Sequence, residues 1–144
     1  MITHIRHTGI VINNLDDALD FYGGVLGFKV VKTMEEKGQF IETILGLRGV
    51  VMTTVKMKAP DGNQIELLYF KTHEDQGNST NRNIYDAGIS HIALTVDDLE
   101  SDYARILNSG VTFISPPQTN PEGTAKVAFC KDPLGNILEL VQPL

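Results

Sequence analysis

Apolar and polar positions along the chain fall into patterns that recur. Residues 5 to 12 and 89 to 96 are short, β-branched and apolar, and they read as strands. Each is followed by apolar positions at helical spacing: Leu15, Ala18, Leu19 and Tyr22 in one place, Leu99, Tyr103, Ile106 and Leu107 in the other. An Asn or Asp suited to capping precedes each set, and a glycine able to end a helix follows it. Strand-like runs come next, at residues 28 to 33, 50 to 58 and 64 to 70, and again at 111 to 114, 124 to 130 and 137 to 142. The turn formers "PDGN" and "DPLGN" join the last two strands of each set into hairpins. The predicted order is β-α-β-β-β, twice, with the polar residues 71–88 as the connection.

The two sets are copies of one unit. With an offset of 84, His7 falls on His91, Leu15 on Leu99, Leu19 on Tyr103 and Tyr22 on Ile106. At the hairpins the offset is 73, and Pro60, Gly62, Asn63 and Glu66 fall on Pro133, Gly135, Asn136 and Glu139. The first copy therefore carries 11 extra residues between its helix and its last strand, an insertion expected to enlarge a loop. A unit this small cannot cover its own sheet, so the copies are expected to pair through their sheets and share a core. The predicted fold class is α+β: two paired βαβββ modules forming a cupped mixed sheet with helices on the outside. It is read as one domain over residues 1–144, with module 1 at 1–70, the connection at 71–88 and module 2 at 89–144.

Each copy plants a glutamate inside an apolar strand, in "APDGNQIELLYF" and in "KDPLGNILELVQ". A buried carboxylate is costly unless something pairs with it. Glu66 and Glu139 both stand four residues after the turn glycine, so the hairpins place them in equivalent registers and on equivalent faces. His7, Glu66, His91 and Glu139 thus form a quartet related by the repeat. Leu68 shares a strand face with Glu66, and Ile137 and Val141 share one with Glu139. Gly9 and Ala93, two residues beyond the histidines, leave room for something bulky. Two imidazoles and two carboxylates suit a divalent transition ion, and in an octahedral ion they leave two positions for water or substrate. A lone strand histidine or glutamate is more often solvated or hydrogen-bonded, and the coincidence of all four is what points to metal. His4 and His73 have no mate in the repeat and are read as surface residues.

Composition narrows the function classes. The 144 residues carry a net charge of -6, and lysines and arginines form no basic stripe, which argues against a nucleic-acid partner. Cys130 is the single cysteine, so no internal disulfide can form. "MITHIRHTGI" lacks the apolar core of a secretory signal, and no apolar run reaches the roughly 18 to 20 residues of a membrane helix, so a cytoplasmic protein with no membrane contact is expected. The sequon at Asn78 is then read as chance. Arg6, Arg48, Lys56, Lys58 and Lys126 could hold an anionic substrate tail, but each reads more simply as a solvated cation.

With the paired β-α-β-β-β modules, the segments "HTGI", "IELL", "SHIAL" and "PLGNILEL" resemble the vicinal oxygen chelate superfamily, which includes glyoxalase I, methylmalonyl-CoA epimerase, extradiol dioxygenases and fosfomycin- and bleomycin-resistance proteins. The resemblance covers nearly the whole chain and is weakest over residues 34–48 and 71–88. Its dioxygenases and fosfomycin enzymes use two histidines and one glutamate, whereas glyoxalase I and the epimerase add a fourth ligand where this chain has Glu66. The resemblance therefore implies a metal-dependent lyase or isomerase of the glyoxalase I type, working by proton transfer through an enediolate. One divalent ion, nickel, cobalt or zinc, with manganese or iron as alternatives, is held by His7, Glu66, His91 and Glu139, and Glu139 and Glu66 are the candidate catalytic bases. The implied substrate is a thiol hemithioacetal or an acyl-CoA thioester, and the implied assembly is a homodimer. An acyl-CoA epimerase is the alternative within this class. A non-catalytic small-molecule binding or resistance protein is the alternative from another.

Overall fold

The structure, a computed structural model, describes residues 1–73 and 83–144. The sequon at Asn78 and the middle of the connection lie outside the described residues. The chain forms two compact units, Met1–Gln76 and Gly77–Leu144.

In the first unit, β1 (Thr8–Ile12), β2 (Lys29–Lys37), β3 (Val51–Lys58) and β4 (Gln64–Phe70) form a sheet in the order β1-β4-β3-β2. β1 runs parallel to β4, and the other pairs are antiparallel. Such a parallel pair needs a crossover, which α1 (Leu15–Leu19) and its continuation supply. Asn14 caps α1 by accepting a hydrogen bond from the Asp17 N–H at 3.1 Å. The helix then widens into a π-helical stretch, Asp20–Val25, in which the Leu26 N–H reaches the Phe21 carbonyl at 2.9 Å. Gly23 lies against the sheet here: a Cβ on it would stand 3.4 Å from the Met57 methyl. This helical face closes over Ile10, Ile12, Val55, Met57, Ile65 and Leu67, all buried. Residues of opposite parity, Glu66 and Lys56 among them, point to the other side of the sheet.

The insertion is not merely a longer loop. It contains a third segment of helix, α2 (Gln39–Leu45), framed by Gly38 and Gly46 at positive φ. Ile41 on α2 is buried with Val50 and Met52, and Leu47, Leu68 and Phe70 pack against them. Met52 and Leu68 belong to the Glu66 face, so α2 covers one end of that face.

The second unit repeats the plan with β5 (His91–Thr95), β6 (Gln118–Thr119), β7 (Ala125–Lys131) and β8 (Ile137–Pro143), in the order β5-β8-β7-β6 with β5 parallel to β8. α3 (Leu99–Asn108) is capped by Asp98, and Leu99 and Ile106 bury against the side that holds Ala128, Cys130, Leu138 and Leu140. Leu107 is exposed, one step round the helix from that stripe. The predicted strand at 111 to 114 is reduced to a bridge between Phe113 and Cys130, with the paired strand beginning only at Gln118. Pro116 and Pro117 explain the gap, because neither has an N–H to donate to a ladder. Among the described residues, two four-stranded mixed sheets and three α-helices make the fold α+β, as the repeat predicts. No helix among the described residues is long and apolar enough to cross a membrane.

Candidate metal centre

The two hairpin turns are built alike. The Ala59 N–H donates to the Asn63 carbonyl and the Asp132 N–H to the Asn136 carbonyl, each at 2.9 Å, and Gly62 and Gly135 take φ values of 90° and 86°. Their carboxylates differ in position but do the same work: Asp61 accepts from the Asn63 backbone and side chain, and Asp132 from those of Asn136. A turn locked this way fixes strand register. Glu66 is thereby set beside Gly9 of β1 and Lys56 of β3, and Glu139 beside Ala93 of β5 and Phe129 of β7.

In the first unit His7 stands one residue before β1, on the same side as Gly9. Its Nε2 lies 3.2 Å from Glu66 Oε2, and the Glu66 side chain is only 14% exposed. Lys56 Nζ lies 3.7 Å from the other oxygen, Oε1. A Cβ on Gly9 would come within 3.4 Å of Leu68 Cδ1, so a larger residue there would fill the space beside the pair. In the second unit His91 opens β5, and its Nε2 lies 3.2 Å from Glu139 Oε2. The Ser90 hydroxyl stands 2.8 Å from His91 Nδ1, which holds the ring with Nε2 turned toward the carboxylate. The Phe129 ring meets the imidazole edge-on, with centroids 5.5 Å apart.

The structure thus brings His7 to Glu66 and His91 to Glu139, each pair inside its own unit. No third His, Cys, Asp or Glu joins either pair within its unit among the described residues. A nitrogen and an oxygen each about 2.1 Å from one ion, at an angle of about 100°, stand about 3.2 Å apart, so both pairs fit adjacent ligands of a divalent metal. His4 is exposed beside Thr3, as the lack of a repeat mate predicts, whereas His73 is half-buried beside Thr72. Arg6, Arg48 and Lys58 are exposed, and Lys126 pairs with Glu100. Lys126 and Lys56, with side chains 22% and 30% exposed, both depart from the surface reading, and Lys56 does so beside Glu66. Counting outward equally from the "PDGN" turn places it opposite Glu66, a signal the sequence carries.

Residues 4–140 match the Glyoxalase/Bleomycin resistance protein/Dioxygenase superfamily. The chain belongs to this superfamily. It is 30% identical to a lactoylglutathione lyase of Neisseria meningitidis over 96% of its length and 89% of that protein's. It is also 30% identical to a lactoylglutathione lyase of Pseudomonas aeruginosa, over 95% of its length and 81% of the relative's. A crystal structure of a glyoxalase family protein from Bacillus cereus superposes with a TM-score of 0.90 at 20% identity, covering all of this chain and 96% of the other. That likeness concerns the fold. The two lyases give the chain glyoxalase-like relatives, and the superfamily's own name also covers dioxygenases and resistance proteins.

Proposed function

We propose that the chain is a divalent-metal-dependent lyase or isomerase of the glyoxalase I type, with His7, Glu66, His91 and Glu139 as the metal ligands and Glu139 and Glu66 as the proton-transferring groups. The observation that carries this reading is the recurrence of one His–Glu pair, with the same 3.2 Å spacing, at the same place in both modules. The lactoylglutathione lyases among its relatives support it. When bound, a divalent ion supplies Lewis acidity toward a carbonyl oxygen, which acidifies the adjacent C–H. Everything else falls to the protein. Gly9 and Ala93 keep the space beside the pairs open, Ser90 orients His91, and Phe129 shields one side of its ring. A carboxylate then removes the proton from the substrate carbon and returns it to the neighbouring carbon, a contribution of about two to four orders of magnitude in rate.

The test is metal content joined to turnover. Protein purified without a histidine tag should hold about one divalent ion per chain, and His7→Ala and His91→Ala should each remove most of it. The metal-loaded protein, given nickel, cobalt or zinc, should isomerise the hemithioacetal of methylglyoxal or exchange the α-hydrogen of an acyl-CoA thioester with deuterated water. Unchanged metal content in both variants rejects the site. Stoichiometric metal without either reaction replaces the enzyme by a binding protein.

A further inference from the structure

The two modules agree in their histidine, their glutamate, the small residue beside it and the turn, and they disagree at one neighbour. Opposite Glu139 stands Phe129, and opposite Glu66 stands Lys56. Glu66 therefore divides its oxygens between two partners: Oε2 lies 3.2 Å from His7 Nε2, and Oε1 lies 3.7 Å from Lys56 Nζ. Its side chain is largely withdrawn from water, so the carboxylate gains from a cation beside it. Glu139 has no lysine or arginine partner among the described residues. The far side of Lys56 is unfavourable. A register shift between Val30 and Lys32 sets Lys32 directly opposite Lys56 and Lys29 directly opposite Lys58. Residues three apart in a regular strand point to opposite faces, and this bulge turns both lysines of β2 to the face of Glu66. Like charges opposite one another repel. Neither Lys29 nor Lys32 has an ion-pair partner among the described residues. Lys56 stands between a cation on β2 and a carboxylate on β4, and it reaches toward the carboxylate.

We infer that Lys56 is a tethered counter-cation that competes with the metal for Glu66, and so limits how tightly the first module holds its share of the ion. This deepens the metal-dependent reading and rests on it. A divalent ion on His7 and Glu66 brings a second positive centre to a carboxylate that Lys56 already neutralises, and at such short range the two cations repel. Lys56 then has to withdraw toward Lys32, where a like charge meets it again. The coupling is reciprocal: what Lys56 gains from Glu66 in the metal-free protein is subtracted from metal binding. Without the ion, Lys56 keeps Glu66 from standing as an unpaired, half-buried charge. The His91–Glu139 pair, with Phe129 as its neighbour, meets no such competitor. Lys56 is on this account a positioning residue for a ligand and touches no substrate.

The test measures zinc affinity by chelator competition, and Tm with and without zinc, in the wild-type protein and in single variants. Lys56→Met should bind zinc about ten-fold tighter. It should also lower the Tm of the metal-free protein, so that zinc raises Tm by more than it does in wild type. Lys56→Arg keeps the charge and should behave as wild type. Lys58→Met removes a cation from the same face without touching Glu66, and should change zinc affinity by less than about two-fold. Lys32→Glu, an exposed change on β2, offers Lys56 a second carboxylate and should tighten zinc several-fold; it decides the matter if Lys56→Met does not fold. An ion pair with a purely structural role would lower Tm equally with and without zinc and leave zinc affinity alone. Unchanged or weaker zinc binding in Lys56→Met, or in Lys32→Glu where that variant decides, at the wild-type stoichiometry rejects the competition and leaves the metal site standing. If the wild-type protein takes up no zinc, both fall together.

Discussion

Glu139 and Glu66 hold equivalent registers and meet different neighbours, and that difference bears on how each would tolerate loss of charge. Replacing Glu139 by Gln preserves shape and removes the proposed base, so turnover should fall by about two to four orders of magnitude with the fold intact by circular dichroism. Glu66→Gln should lose less, because an amide oxygen can still ligate and Lys56 does not depend on it for burial. Equal losses in steady-state assays of the two variants would contradict this division. Cys130 is a simpler case. It is fully buried, and burial, aided by the nearby Asp132 charge, pushes its thiol up to about 11 from an ordinary 9.0. A raised value means that the neutral thiol's contribution is whole below pH 9.0 and is lost as pH rises through about 11. A thiol reagent at pH 8 should therefore react slowly in native buffer and at once in denaturant; rapid native modification would show the thiol to be accessible.

At the scale of the element, the hairpin turns carry the most information. Gly62 takes a φ of 90° with nothing within 4 Å of an added Cβ, so Gly62→Ala meets strain and no clash. Its cost should be about 1 kcal/mol, read as a lower urea midpoint at constant slope. Asp132 is buried and accepts from Leu134 and Asn136. Asp132→Ala should cost more, about 2 to 3 kcal/mol, because it leaves donors unmet. At the other end of the first sheet, Glu35 of β2 is bracketed by Lys71 at 2.7 Å and Lys37 at 3.0 Å, which hold its carboxyl down to about 2 from an ordinary 4.5. The sign is that of a depressed acid: the stabilisation is present above pH 4.5 and is lost as pH falls through about 2. The pair is exposed, so salt should weaken it. Glu35→Gln should flatten the acid limb of the stability curve in low salt and change little in high salt.

At the scale of the whole molecule, assembly decides whose residues would complete the proposed metal site. The connection, residues 71–88, has 18 residues and an extended reach of about 60 Å, which permits sites built from one chain or from two. A connection of this length relieves the pressure to exchange modules, so sites made within each chain are the expected outcome. Mixing His7→Ala chains with Glu139→Ala chains should then restore neither metal nor turnover. Recovery in the mixture, with a dimer seen by sedimentation, would show that the sites are shared.

Much of this was legible in the chain itself. The periods of strand and helix, the repeat and its two offsets, and the turns that put Glu66 and Glu139 on matching faces all rest on local chemistry, which acts over a few residues and is written in their order. Even the Lys56–Glu66 neighbourhood follows from counting outward from a turn. Tertiary structure decided the rest. It placed α2 over one end of the Glu66 face through Ile41, Val50 and Met52, widened α1 at Asp20–Val25, and set Phe129 edge-on to His91. It also left the Thr54 hydroxyl buried without a partner among the described residues. None of these has a local signature, because each depends on which distant side chains strand pairing and packing bring alongside, and a sequence lists neighbours along the chain only.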